Sequence, residues 1–128
     1  MSKTKKKTTA SVVWFNIPVD DIKRAQKFYS GLFGWKIKSF LGMKDFLEIE
    51  TGGPEASPNG GLTERKGEER PINYISVDSV DKYSAKIQKI GGKICMPKTA
   101  VPKMGYFAIC QDTENNGFGI WESDRNAK

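Results

Sequence analysis

The stretch VVWFNIPVDDIKRAQKFYSGLFGWKI, residues 12–37, decides the reading of the fold. Val13, Phe15, Ile17 and Val19 alternate with Trp14, Asn16 and Pro18, the period-two pattern of a strand with one apolar face. Asp20 or Asp21 then offers a side-chain oxygen to the unpaired N–H groups of a helix start. Ile22, Ala25, Phe28, Tyr29, Leu32 and Phe33 follow at helical spacing, with Lys23, Arg24 and Lys27 on the wet side. Gly34 supplies a left-handed stop. Trp35-Lys36-Ile37 opens a second strand. DFLEIE (45–50) and GGLTE (60–64) read as two more, separated by the Gly- and Pro-rich loop TGGPEASPNG (51–60).

After the charged connector ERKGEERP (64–71), the same order of elements returns. Ile75-Ser76-Val77-Asp78 repeats Ile17-Pro18-Val19-Asp20, and Ile90-Gly91-Gly92 falls where Leu32-Phe33-Gly34 stood, both at an offset of 58. GGLTE at 60–64 meets FGIWE at 118–122 with the same offset. Two distant segments that agree on one shift argue for a duplicated unit. Each unit reads strand, helix, then three strands, an α+β pattern in which neither unit buries both faces of its sheet alone.

At 128 residues the chain is long enough to bury about two-thirds of its unfolded surface without disulfides or metal. Cys95 and Cys110 have no CxxC or zinc spacing and read as small buried thiols in a reducing compartment. No apolar run approaches the roughly 18 to 20 residues that span a bilayer, and no hydrophobic stretch follows the basic N-terminus, so the expected setting is soluble and cytoplasmic, with no membrane partner. The net charge of +6 is concentrated in MSKTKKKTTA, residues 1–10, which read as a disordered solubilising arm. Without Lys3, Lys5, Lys6 and Lys7 the basic residues number 17 against 15 acidic ones, so no specific nucleic-acid partner is expected. The chain has no histidine, which excludes Ser-His-Asp and Cys-His catalysis, HExxH zinc sites and His-carboxylate iron sites built from its own residues.

The segments IPVDDIKRAQKFYSGLFGWKI, NYISVDSVDKYSAKIQKIGGKI and GYFAICQDTENNGFGIWES together resemble the glyoxalase / bleomycin-resistance / extradiol-dioxygenase superfamily, the vicinal oxygen chelate proteins, over most of residues 12–123. The resemblance implies two tandem βαβββ modules, about 11–66 and 70–123 within a domain at 11–124, with residues 125–128 as a tail. Their curled mixed sheet would surround a cleft, with the helices outside. It also implies a homodimer, the commonest symmetric assembly. Members usually hold a divalent metal through His, Glu or Gln on the first and last strand of each module. Carried over residue by residue, those positions fall at Trp14, Gly61, Ile72 and Gly119, none of which has a side chain able to bind such an ion. Glu122 lies three residues beyond Gly119, on the opposite face of a strand, and reads as a surface or capping residue. No cofactor is therefore expected.

Strand parity then suggests the cleft lining. Trp14, Asn16, Glu48, Glu50 and Thr63 are expected there from the first module, with Ile72, Tyr74, Tyr106 and Trp121 from the second. The same parity adds Ala108 and Cys110 to the wall. Aromatic area with a few polar groups suits a small, partly aromatic ligand. Trp14 and Trp121 could instead fill the cleft as packed core. Enclosure would raise the pKa of Glu48 or Glu50 and make either a general base. The leading expectation is a small-molecule-binding protein without the usual metal-ligand set. The alternative is a lactoylglutathione-lyase-related lyase or isomerase, using carboxylate chemistry or a divalent metal held in a rearranged site on Glu48, Glu50, Glu64 or Glu122.

Overall fold

The computed structural model describes residues 9–54 and 57–128; residues 1–8 of the expected basic arm, and Glu55 and Ala56, lie outside the described residues. The element order is β1 (Val12–Val19), α1 (Ile22–Phe33), β2 (Lys36–Ser39), β3 (Phe46–Glu50) and β4 (Asn59–Glu64), then β5 (Ile72–Ser76), α2 (Val80–Lys89), β6 (Lys93–Val101), β7 (Gly105–Gln111) and β8 (Gly117–Ser123). The βαβββ order thus occurs twice, and the fold class is α+β. The chain forms two compact units, one over Val13–Asn73 and one built mainly of Tyr74–Lys128.

In the first unit the strands run in the order β2-β3-β4-β1. Direct connections make β2/β3 and β3/β4 antiparallel, whereas β4 returns beside β1 in parallel. Asp21, not Asp20, caps α1: its Oδ1 accepts from the Arg24 N–H at 3.0 Å. Gly34 ends the helix at φ 72°, a backbone angle that costs glycine little. Ile22, Ala25 and Tyr29 of α1 pack with Phe15, Ile17 and Val19 onto the buried Ile37, Leu47, Ile49 and Leu62. Gln26 Nε2 donates to Ile37 O at 2.8 Å, which ties the helix to the edge strand β2.

The second unit repeats the order as β5-β8-β7-β6. Ser79, at the shifted position of Asp21, caps α2 by accepting from the Lys82 N–H at 3.1 Å. The Val80 N–H donates to Glu122 Oε1 at 2.9 Å, so Glu122 supplies a second cap from β8. Val77, Val80, Ala108, Cys110 and Ile120 form the buried core beneath α2.

The 58-residue shift breaks at the third strand of each unit, and this corrects part of the expected lining. Glu48 pairs with Gly61 on β4, but it is Ile109 that pairs with Gly119 on β8, an offset of 61. The connection from β3 to β4 takes residues 51–58, and that from β7 to β8 only residues 112–116. Asp112 holds this shorter turn by accepting from the Glu114 and Asn116 N–H groups at 2.8 and 2.9 Å. The hairpin of β6 and β7 is longer by the same three residues, an odd number, so every side chain on β7 faces opposite to the expectation. Tyr106, Ala108 and Cys110 therefore lie on the α2 side, with Ala108 and Cys110 in the core and Tyr106 packed against it. Lys98 Nζ sits 4.5 Å from the Tyr106 ring centroid and bonds Asp81 of α2 at 2.9 Å, which marks that face as the helix side.

Candidate functional site

The first unit leaves one face of its sheet uncovered by α1. Alternation along β1 turns Phe15, Ile17 and Val19 to the helix and Trp14 and Asn16 to this open face. Trp14 joins an aromatic cluster there, with ring centroids 6.3 Å from Phe40 and 6.5 Å from Phe46, which themselves stack at 5.1 Å. Asn16 Nδ2 donates to Thr63 Oγ1 at 3.0 Å, bridging from β1 over β4. Gly61 lies beneath: a Cβ there would stand 2.6 Å from Asn16 Oδ1 and 3.0 Å from the Phe46 ring. Only glycine admits this close approach. The result is a hollow of about 280 Å³ lined by Asn16, Met43, Asp45, Phe46, Thr63, Glu64, Lys66 and Glu69.

Glu48 and Glu50 share the open face, because Leu47 and Ile49 occupy the core. The Lys38 ammonium bonds Glu50 at 2.7 Å and holds its carboxyl below the usual carboxylate range. This is opposite in direction to the shift that enclosure would give, so Glu50 is not poised as a base near neutral pH.

On the second unit's open face, the Tyr74 ring lies over Gly119, where a Cβ would overlap it. Phe107 meets Tyr74 edge-on with centroids 6.3 Å apart. Trp121 covers Gly105 on β7, and its Nε1–H donates to Ser123 Oγ at 3.0 Å. Ile72 opens β5 and is half-buried. Cys95 on β6 is exposed, not buried as the sequence suggests. Cys110, beneath α2, has its thiol pushed up to about 11 by burial and, to a lesser degree, by Cys95. Among the described residues no three His, Cys, Asp or Glu side chains form a group that could hold a metal ion.

Comparison with known proteins agrees with this architecture. Residues 11–52 match the family described as Bleomycin resistance protein-like N-terminal. A glyoxylase-like domain-containing protein of Didymella fabae is 31% identical over 112 residues, an alignment that takes in 81% of this chain and 87% of the relative. The chain belongs to the glyoxalase/bleomycin resistance/dioxygenase superfamily. A superfamily member from Vibrio splendidus 12B01 has the same fold, with a TM-score of 0.66 at 14% identity over 91% of this chain and all of that one. The anthracycline biosynthesis protein DnrV of Streptomyces peucetius is 23% identical over 84% of the chain, but the alignment takes in only 45% of DnrV. The chain spans about half the length of several curated relatives that it matches at such identities.

Within this glyoxalase-like fold the structure brings Trp14, Asn16, Glu48, Glu50 and Thr63 to one face of the first unit and Tyr74 and Trp121 to the open face of the second, while Tyr106 turns away. Sequence reasoning missed Phe46, although its alternation with Leu47 in DFLEIE carries the signal. It also missed Phe40, Met43, Asp45, Lys66 and Glu69, which sit in or beside connections where no periodicity operates. No helix among the described residues is long and apolar enough to cross a membrane.

Proposed function

We propose that this chain binds a small, partly aromatic molecule on the open face of its first unit, without a divalent metal. One observation carries the reading: Phe46, on which the Trp14 and Phe40 rings pack, lines a hollow together with a neutral amide–hydroxyl pair, Asn16 and Thr63. Apolar area supplies affinity in such sites and a few placed polar atoms fix orientation. The residues at the superfamily's ligand positions do not fit a metal ion. Trp14 packs among rings, Gly61 lies under Asn16 and Phe46, Gly119 lies under Tyr74, and Ile72 has only carbon to offer. Of Glu48, Glu50, Glu64 and Glu122, the four carboxylates of a rearranged site, Glu50 and Glu122 already serve Lys38 and the start of α2. The name of DnrV ties one relative to anthracycline biosynthesis, which adds support for a small-molecule ligand. The homodimer rests on the resemblance and is checked by sedimentation.

Tryptophan emission tests the binding reading. A panel of planar aromatic compounds titrated into the protein should change the emission, and Trp14→Phe should remove most of the response. Emission unmoved by the whole panel, together with a large fall in Tm on Trp14→Ala, would show that the cluster is packed core.

A further inference from the structure

The hollow on the first unit carries information about ligand polarity. In the Asn16–Thr63 hydrogen bond the amide donates and the hydroxyl oxygen accepts. This leaves Asn16 Oδ1 as an acceptor and the Thr63 O–H as a donor, side by side and both half-buried. Neither side chain makes another hydrogen bond among the described residues. Gly61 is the residue that lets the Asn16 amide rest on β4 in this orientation. Phe46 flanks the pair with apolar area.

The charges around the hollow are unequal. Asp45, Glu64 and Glu69 line it against one ammonium, Lys66. An anionic ligand would approach three carboxylates at short range, where the interaction is worth most at low ionic strength. A donor–acceptor pair that a ligand covers and leaves unmatched also costs the ligand that lacks the complementary edge.

We infer that this hollow takes an uncharged planar aromatic molecule carrying a lactam or amide edge, whose N–H bonds Asn16 Oδ1 and whose C=O accepts from Thr63, and that it rejects anionic analogues of the same size. The inference rests on the binding reading above and narrows it to a ligand class.

Three probes of similar size separate the possibilities: isocarbostyril, which has the lactam edge; N-methylisocarbostyril, which lacks the donor; and naphthoate, an anion. Each is titrated into the full chain and followed by tryptophan emission and by the Asn16 and Thr63 signals in proton–nitrogen correlation spectra. Isocarbostyril should bind about tenfold more tightly than its N-methyl derivative, the ratio one hydrogen bond supplies. Naphthoate should bind more weakly still, with a deficit that shrinks as salt is added. Asn16→Ala should weaken isocarbostyril while leaving the N-methyl derivative unchanged, a selectivity that general damage to the fold would not produce, whereas Thr63→Val should weaken both lactams, since both keep the carbonyl. Equal binding of the two lactams, or naphthoate binding as tightly as isocarbostyril, overturns the polarity inference and leaves the binding reading standing. Binding of none of the three at millimolar concentration also overturns it, and the wider aromatic panel then decides the binding reading separately.

Discussion

The ring of Tyr74 on β5 lies over Gly119 on β8, its partner in the parallel ladder, so closely that glycine's missing side chain is the condition for the contact. The last-strand ligand position implied by the resemblance is therefore covered by aromatic carbon from the neighbouring strand. In the first unit Gly61 stands in the same relation to Asn16, with an amide in place of the ring. Both glycines admit a neighbour's side chain where a metal-binding side chain would otherwise project.

Gly119→Ala should destabilise the protein by about 1–3 kcal/mol, because the new Cβ cannot coexist with the Tyr74 ring and the strand must shift to admit it. Removing the ring should relieve the conflict. In a double-mutant cycle with Tyr74→Ala, urea denaturation should report a coupling of about 0.5–3 kcal/mol. Additive losses would mean that the two residues do not oppose one another.

Glu122→Ala should lower the urea midpoint by an amount equivalent to about 1–3 kcal/mol, since it strands the N–H of the fully buried Val80. Glu122→Gln keeps an oxygen acceptor but loses the negative charge at the N-terminus of α2, so it should cost less. An unchanged midpoint in both variants would return Glu122 to the pool of free carboxylates.

Cys110 gives a pH-dependent stability of defined sign. Its thiol holds its proton more tightly in the folded chain, up to about 11 against an ordinary 9.0. The unfolded chain thus loses that proton first as pH rises, and stability falls between pH 9.0 and about 11. The difference between wild type and Cys110→Ala isolates this contribution from other alkaline groups. The wild type should lose more stability than the variant over that window, and parallel curves would contradict the assignment. The exposed Cys95 should be alkylated long before Cys110 at neutral pH.

Much of the fold is legible in the sequence because local patterns agree with the tertiary result. Phe15 and Ile17 alternate with Trp14 and Asn16, Asp21 caps α1, and Gly34 takes the left-handed angle that ends it. The lining is legible wherever parity is propagated within one strand. It fails at Tyr106, because an alignment anchored on the first and last strands of each unit conceals three residues moved from a turn to a hairpin. Met43 and Lys66 reach the hollow from connections whose course depends on how the hairpins fold back, and no spacing rule encodes that.

The central claim is that the fold retains the superfamily's modules while carbon and bare backbone stand where the donors would be. Metal analysis of tag-free protein, grown with Ni, Zn, Fe and Mn supplied and then exchanged into metal-free buffer, tests it most directly. The account predicts no stoichiometric metal. A firmly held ion at one per chain, lost on substitution of Trp14, Gly61, Ile72 or Gly119 or of their immediate neighbours, would contradict it.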